Sequence, residues 1–266
     1  MSARGGADKV ARVHFPLTLQ LGALELSAHA LFELAAYVVG FLLLRRERAR
    51  HGDVIDADAR WTLNVAVILG AVVGSKLVQW AGDIEALRAH ASALTYWLGG
   101  KSIVGGILGG TLAVELMKPK LGIARRTGDA LVLPLVVSIA IGRIGCFGAG
   151  LTDHTYGTAT SFPWGVDFGD GIARHPTQLY EVAFLVLLGI VLTRRSARAW
   201  PEGARFDAFL FTYLAFRIVI HFWKPYERFP GTLGLSATQW ACVLGILGRA
   251  AWLARSPRVL AQGAPR

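Results

Sequence analysis

The sequence predicts an all-α polytopic membrane protein, and three observations carry that prediction. Of its 266 residues, 53% are hydrophobic and only 17% are charged, whereas soluble domains carry about 25% charged residues. The apolar residues are grouped in stretches of about 17–25 residues, which is the length of a membrane-spanning helix. These stretches lack the two-residue alternation of a transmembrane β-barrel. The mean hydropathy of +0.45 agrees with this class.

Seven stretches qualify as spans of a single integral membrane domain that covers residues 1–266. They are residues 27–44, 61–80, 97–117, 128–150, 176–193, 206–223 and 234–254. The first 26 residues contain Arg4, Lys9 and Arg12 but no apolar core followed by a small-residue cleavage site. We therefore interpret them as an amphipathic N-terminus rather than a cleaved signal peptide.

Glycine and proline positions predict how two of the spans pack and bend. Pro134 lies near the start of span 4 and is expected to bend it. Small residues at four-residue spacing allow close helix contact in membranes. Spans 2 and 3 contain three such pairs: Gly70 with Gly74, Gly105 with Gly109, and Gly106 with Gly110.

The basic residues of the loops predict the orientation. Segments 45–60, 118–127, 194–205 and 255–266 contain five, four, four and three lysines and arginines. The alternate segments, 1–26, 81–96, 151–175 and 224–234, contain three, one, one and two. Because short basic loops stay in the cytoplasm, we expect the N-terminus outside and the C-terminus in the cytoplasm. Although the net charge is +10, the basic residues form no nucleic-acid-binding stripe or motif. No nucleic-acid partner is therefore expected.

With this orientation, most polar residues of the spans lie in the outer third of the membrane and predict an electropositive pocket there. Glu115 and Arg249 lie at inner ends, where we expect them to snorkel to the interface. The inner halves are otherwise nearly free of polar residues, which argues against a carrier. The outer set comprises His29, Glu33, Lys76, Gln79, Lys101, Arg143, Gln178, Glu181, Arg217, His221 and Gln239.

Four cations in this set predict an anionic ligand. An unpaired charge in a span costs about 2.5–3.5 kcal/mol on insertion scales, and the planar arginine guanidinium suits phosphate oxygens. A phospholipid headgroup supplies a phosphate at that depth. The alternative is that Arg143 with Glu181, or Lys76 with Glu33, forms an internal ion pair. Such pairs do not readily account for all four cations.

Segment 151–175 is long for a loop of a polytopic protein and is expected outside, as a binding loop or an interfacial connector. Asp167 and Asp170 match no complete metal-binding loop, so no metal is expected. His175 is either a helix-capping residue or a catalytic one. Cys146, close to Arg143, is either a nucleophile or a small buried side chain.

Four segments resemble the prolipoprotein diacylglyceryl transferase family of bacterial inner-membrane enzymes. They are Gly99-Gly-Lys-Ser-Ile-Val-Gly-Gly106, Gly142-Arg-Ile-Gly-Cys-Phe147, Arg174-His-Pro-Thr-Gln-Leu-Tyr-Glu181, and Phe216-Arg217 followed by Leu235-Ser-x-x-Gln239. The resemblance implies seven spans, a periplasmic active site and no cofactor. It also implies transfer of the diacylglyceryl group of phosphatidylglycerol to the thiol of a lipobox cysteine on a secreted precursor, with release of glycerol phosphate.

The resemblance and the pocket together give two sets of candidate residues. By the resemblance, Arg143 and Arg217 match essential arginines of the family. The candidate catalytic residues are Arg143, Arg217, Lys101, His221 and Glu181. The candidate substrate-binding residues are Arg143, Arg217, Lys76, Arg174, His175, Gln178, Tyr180, Gly105, Gly106 and Gln239. His221, His175 or Glu181 could act as the general base.

The chain departs from the family pattern at three places. Val104 stands where the family usually has histidine, Cys146 where it has asparagine, and His221 where it has an acid; the following Asn-x-Glu is also absent. Lys101 lies three residues before Val104 and could supply the missing polar group. The departures leave two alternatives: a divergent lipid or phosphoglycerol transferase with another acceptor, and a carrier for an anionic lipid or solute.

Overall fold

The structure, a computed structural model, describes residues 14–22, 24–51, 55–90, 92–194, 200–229 and 233–255. Residues 1–13, which form half of the predicted amphipathic N-terminus, lie outside the described residues. The helices are α1 (Ala28–His51), α2 (Ala57–Ala81), α3 (Ile84–Ala89), α4 (Leu94–Leu98), α5 (Ile103–Met117), α6 (Val132–Ala149), α7 (Thr177–Arg194), α8 (Ala204–Ile220) and α9 (Ala237–Arg255).

Four short strands accompany the helices in the described residues. β1 (Thr18–Leu21) pairs antiparallel with β2 (Leu24–Ser27) immediately before α1. β3 (Val166–Asp167) pairs antiparallel with β4 (Ala173–Arg174) inside segment 151–175. Sequence analysis predicted neither hairpin, because strands of two to four residues are too short to show a periodic pattern.

The predicted class, an all-α membrane protein, is confirmed. Among the described residues, five helical segments are long and apolar enough to cross a membrane: Ala28–Arg50, Ala57–Ala81, Gly128–Asp153, Thr177–Arg194 and Ala204–Trp223. Helices α5, with 15 residues, and α9, with 19 residues, coincide with the other two predicted spans.

The predicted third span, 97–117, begins about six residues too early. Gly100 adopts the left-handed conformation (φ +62°) and separates α4 from α5, a conformation that glycine reaches without steric cost. Ser102 then caps α5, because its side-chain oxygen accepts a hydrogen bond from the Gly105 amide at 3.2 Å.

The close packing predicted for spans 2 and 3 is confirmed by the contact between α2 and α5. A Cβ atom at Gly74 would lie 2.3 Å from the Gly105 carbonyl oxygen, and one at Gly109 would lie 2.2 Å from that of Gly70. Only glycine therefore permits this backbone approach, since real Cβ atoms do not come so close.

Apolar side chains cover both the interior and the outer surface of the bundle. The buried core joins α5, α6, α7, α8 and α9 and includes Val104, Val136, Leu185, Phe209 and Leu214. Large apolar side chains are exposed along three helices, as expected for a surface that faces lipid. They include Leu34, Val38 and Phe41 of α1, Ile68, Val72 and Leu77 of α2, and Leu187 and Val191 of α7.

The expectation that Glu115 and Arg249 snorkel to the interface is wrong. Arg249 is buried and donates to Asp207 Oδ1 at 2.9 Å and to Glu115 Oε1 at 3.2 Å. Asp207 also binds Arg126, and Glu115 binds Lys118 at 3.2 Å. Two carboxylates thus replace water as the partners of the buried Arg249 guanidinium.

Glu202 joins the same group, since its carboxylate accepts from the Arg126 amide at 2.6 Å. Glu115, Lys118, Arg126, Glu202, Asp207 and Arg249 are called the Asp207 cluster below. The end of the bundle predicted to be nearly free of polar residues therefore holds a network of three buried cations and three carboxylates. Sequence analysis missed it because three members, Lys118, Arg126 and Glu202, lie in the segments between the apolar stretches.

Candidate functional site

The opposite end of the bundle contains a buried carboxylate shared by two arginines. Glu181, in the second turn of α7, is fully buried. Its Oε2 lies 2.8 Å from Arg143 Nε, and its Oε1 accepts from Arg217 Nη1 at 2.9 Å. Tyr213 also donates its hydroxyl proton to Oε1, at 2.7 Å. Three helices, α6, α7 and α8, therefore meet at one carboxylate.

The ion pair of Arg143 with Glu181, which the sequence offered as the alternative to an anionic ligand, is thus present, but it does not neutralise the site. Arg143 and Arg217 are only 4% and 5% exposed, and they share one negative charge. Because an uncompensated cation in a buried site is costly, a second anion would bind here favourably.

His221 follows Arg217 by one helical turn and lies against it. Its Nε2 is 2.9 Å from Arg217 Nη2, and because arginine only donates hydrogen bonds, this nitrogen must accept. The imidazole is then neutral, with its proton on Nδ1, which faces Ser236 Oγ at 3.4 Å. The geometry makes His221 a residue that holds Arg217, since its acceptor lone pair is already occupied.

Lys224 is a buried basic residue of the site that sequence analysis counted only as a loop charge. It follows the candidate span Ala204–Trp223, is 2% exposed, and donates to the Thr155 carbonyl at 2.9 Å. Burial, together with the positive charges of Arg143 and Arg217, places the pKa of Lys224 well below that of an ordinary lysine. Its position one residue beyond an aromatic span end was the only available signal.

Arg143, Glu181, Tyr213, Arg217, His221 and Lys224 are called the Glu181 cluster below. Comparison with known proteins places this chain in a family. The family model described as prolipoprotein diacylglyceryl transferase matches residues 16–255. This chain belongs to the prolipoprotein diacylglyceryl transferase family. The predicted family, and with it an enzyme of the transferase class, is confirmed.

Individual relatives agree along most of their length, and each has the name phosphatidylglycerol–prolipoprotein diacylglyceryl transferase. The protein of Nitrosomonas europaea is 33% identical over 240 residues, covering 85% of this chain and 84% of its own. The protein of Nitrosospira multiformis is 32% identical, with 87% and 83% covered. The protein of Geobacter sulfurreducens is 30% identical, with 82% and 85% covered.

Among the candidate residues of this transferase-family chain, Gln178 has a buried side-chain amide that a ligand could bind. It lies one turn before Glu181 on α7 and is fully buried. Neither its amide nitrogen nor its amide oxygen has a hydrogen-bond partner among the described residues. Burying an amide without partners costs about 1–3 kcal/mol, which a bound polar group would offset.

Two other candidates, Gln239 and Arg174, form hydrogen bonds within the protein itself. Gln239 accepts from the Ser236 amide at 2.9 Å and donates to the Ile218 carbonyl at 2.9 Å. With Ser236 it forms a capping box at the start of α9. Arg174 donates to Asp170 at 2.6 Å and to the Ile172 carbonyl at 3.1 Å, inside its own hairpin. That contact lowers the pKa of the Asp170 carboxyl.

His175 and Tyr180 form a hydrogen-bonded chain with the loop. Trp164 Nε1 donates to the Tyr180 hydroxyl at 2.7 Å, and that hydroxyl lies 3.2 Å from His175 Nδ1. His175 is buried and also packs against the Phe162 and Trp223 rings. The chain ties segment 151–175 to the first turn of α7, beside Gln178.

Lys101 lies in the turn that precedes α5, and the Lys76 side chain reaches the same turn from α2. Lys76 donates to the carbonyls of Gly99 and Gly100, the latter at 3.0 Å. Lys101 forms an ion pair with Glu33 of α1, where the sequence suggested Lys76 as the partner. The described contacts thus unite Arg143 and Arg217 at Glu181 and place the two lysines in a neighbouring α1–α2–α5 junction.

The paired glycines 105 and 106 have different environments. A Cβ at Gly105 would lie 2.2 Å from the Gly74 carbonyl oxygen, so Gly105 serves the α2–α5 contact. A Cβ at Gly106 would meet nothing nearer than 3.6 Å. Gly106 lines an apolar cavity of about 290 Å³, which extends from Ile103 and Ile139 at the Glu181 end to Arg249 in the Asp207 cluster.

Proposed function

We propose that this chain transfers the diacylglyceryl group of phosphatidylglycerol to the thiol of a lipobox cysteine in a prolipoprotein. In this reaction the sulfur forms a bond to the glyceryl carbon, and the carbon–oxygen bond to phosphate breaks. The electron pair of that bond leaves with glycerol phosphate, and the thiol proton passes to a base. The activity follows from the family and from the names of the relatives.

The observation that carries the proposal is the pair of buried arginines on a single carboxylate. The leaving phosphate gains negative charge as the bond breaks, and donors fixed beforehand stabilise that charge without reorganisation. Arg143 and Arg217 are held by Glu181 at 2.8 and 2.9 Å. One negative charge between two cations keeps both in position and leaves net positive charge for the phosphate.

The remaining residues of the site receive supporting roles in this proposal. Gln178 donates its buried amide to the lipid headgroup, and His221 holds the guanidinium of Arg217. Glu181 is an unsuitable general base, because both of its oxygens already accept hydrogen bonds from Arg217. Lys224, whose pKa burial lowers, is the proposed acceptor of the thiol proton.

The apolar cavity is the proposed site of the donor's acyl chain. Its volume of about 290 Å³ lies at the lower end of ligand pockets, about 300–1,000 Å³. Gly106 lines this cavity beside α2 and leaves room there, because a Cβ would meet nothing nearer than 3.6 Å. A chain entering there would place its glyceryl end near Arg143, one turn beyond Ile139 on α6.

The same proposal includes the finer topology. Helices α5 and α9 join the five apolar segments as spans, which makes seven, and residues 1–266 form one membrane domain. The N-terminus lies outside and the C-terminus in the cytoplasm, because the basic loops flank the Asp207 end. The Glu181 cluster then opens to the periplasmic side of a bacterial inner membrane, where a secreted precursor presents its cysteine.

Complementation of a transferase-depleted bacterium tests the reaction. We expect mass spectrometry of a lipobox peptide to detect a thioether-linked diacylglyceryl group when this chain is expressed. Absence of that product, in membranes that contain phosphatidylglycerol and the full-length chain, would refute the proposed acceptor. Release of glycerol phosphate without the peptide product would favour the divergent acceptor that Val104 and Cys146 suggest.

A further inference from the structure

Three potential metal ligands from two helices and a turn converge beside the Glu181 cluster. His29 lies in the first turn of α1, Cys146 in the last turn of α6, and Asp153 at the end of the 3-10 turn that follows α6. One ligand atom from each, an imidazole nitrogen, the thiol sulfur and a carboxylate oxygen, lies within 4.8 Å of the other two. His29 Nδ1 and Asp153 Oδ1 are 3.8 Å apart.

These separations are close to those of a loaded site. Zinc bonds of about 2.0–2.3 Å in tetrahedral geometry place ligand atoms about 3.3–3.6 Å from one another. Small rotations of the three side chains would bring their ligand atoms to that spacing. Nitrogen, sulfur and oxygen donors together suit a borderline-soft divalent ion such as Zn²⁺ or Co²⁺.

A second observation points to a ligand at the same place. The Nδ1 atom of His29 is buried and has no hydrogen-bond partner among the described residues. Its 3.8 Å approach to Asp153 is too long for a hydrogen bond. A buried nitrogen that faces a carboxylate and a thiol without bonding to either is suitably placed to coordinate a metal ion.

Neighbouring residues also orient the ligands, as metal sites require. Asp153 Oδ2 accepts from Thr155 Oγ1 at 2.6 Å, while Oδ1 faces His29 Nδ1. The Glu33 carboxylate, which is paired with Lys101, lies 3.8 Å from the other ring nitrogen of His29, Nε2. Both neighbours thus lie at atoms that the metal would not use.

The local charges are compatible with a divalent cation. A thiolate and a carboxylate together balance two positive charges, once the Cys146 thiol has released its proton to solvent. Arg143 Nη1 lies 3.9 Å from the same sulfur and offsets part of the cost of a buried thiolate. The guanidinium charge is itself shared with Glu181.

We propose that His29, Cys146 and Asp153 form a divalent transition-metal site, with a fourth position open to water. The site links α1 to the end of α6 that bears Arg143. It arises where this chain has Cys146 in place of the asparagine that is usual in the family it resembles, so the sequence change creates the sulfur ligand.

Cobalt binding to the full chain in detergent, freed of metal beforehand, tests this proposal. We expect one Co²⁺ per chain, a near-ultraviolet charge-transfer band from a thiolate ligand, and displacement of the cobalt by Zn²⁺. Cys146→Ser should remove the band, and His29→Gln and Asp153→Asn should each raise the dissociation constant by at least about 10–100-fold.

The chain offers matched controls. Cys242 is the other cysteine, fully buried among core residues of α9, and Cys242→Ser should keep the band and the stoichiometry. His90→Gln should do the same. The proposal is overturned if wild type binds no equivalent of cobalt, if the band survives Cys146→Ser, or if only Cys242→Ser removes it. Because Asp153→Asn is nearly isosteric, it remains informative even if Cys146→Ser fails to fold.

Discussion

The two ends of the helix bundle contain the same motif with different charge balance. At one end Glu181 binds Arg143 and Arg217; at the other, Asp207 binds Arg126 and Arg249. Each is a buried acid between two buried arginines from other parts of the chain. The two ends differ in the charged residues that surround this motif.

In the Asp207 cluster, two further carboxylates match the charge of the three buried cations. Glu115 pairs with Arg249 and Lys118, and Glu202 accepts from the Arg126 amide and pairs with the exposed Arg125. In the Glu181 cluster the next basic group, Lys224, has a carbonyl for its partner. The comparison teaches that a balanced buried network locks helices together, whereas an unbalanced one of the same geometry is prepared for an anionic ligand.

The largest expected effect tests the unbalanced end. Arg143→Ala should reduce diacylglyceryl transfer about 10³-fold, because it removes a fixed cation from the leaving phosphate. Glu181 keeps Arg217 as a partner, so the protein should still insert and be extracted in folded form. Product formation by mass spectrometry and elution on size exclusion measure the two outcomes. Full activity would remove Arg143 from the mechanism.

The matching change at the balanced end should affect stability instead. Asp207→Ala leaves Arg126 and Arg249 buried without their shared acid, which should cost about 3 kcal/mol of folding free energy. Thermal denaturation in detergent should show the loss, while turnover per folded molecule stays close to wild type. Loss of turnover without loss of stability would contradict the structural role of this cluster.

A pH profile distinguishes the two buried lysines. If Lys224 accepts the thiol proton, transfer must rise with pH as the amine, with its lowered pKa, loses its charge. Lys224→Arg stays protonated, so it should reduce the rate about 10²-fold and abolish the rise. Lys118→Arg, at the Asp207 end, should leave the shape of the profile unchanged. An identical profile in both variants would exclude Lys224 as the base.

The smallest expected effect concerns the cavity between the two clusters. Gly106→Phe places a ring in the space proposed for an acyl chain and should lower kcat/KM about 10-fold for long-chain donors, with less effect on short-chain donors. Gly248→Phe adds the same bulk where no neighbour lies within 4 Å and should change neither value. Equal losses for both chain lengths would indicate damage to packing rather than to a lipid site.

Much of the fold could be predicted because hydrophobic length and glycine spacing are local properties. Five of the seven predicted stretches coincide with apolar helical segments, and Gly70, Gly74 and Gly109 mark the α2–α5 contact. The start of α5 was misplaced because Gly100 interrupts the helix inside a stretch that is apolar on both sides of it. Composition alone does not show a change of backbone conformation.

The candidate site was predicted less completely, for a physical reason. A cation inside a membrane span is energetically unfavourable unless it has a partner, so Arg143 and Arg217 could be selected as site residues from the sequence. Gln239 was selected by the same rule, yet its amide caps α9 and binds Ile218. A polar residue near a helix start can serve the backbone or a ligand, and sequence position does not distinguish them.

By itself, the sequence determined the membrane class, the long apolar helices and the family. It also identified Arg143 and Arg217, since an unpaired arginine is costly in a helix that faces lipid. Only the tertiary structure decided that both arginines share Glu181, that Lys224 is buried beside them, and that Arg249 and Glu115 are locked rather than snorkelling. The reason is that hydrophobicity acts along each helix, whereas ion pairs join residues 36 to 134 positions apart. Their partners depend on which helices become neighbours.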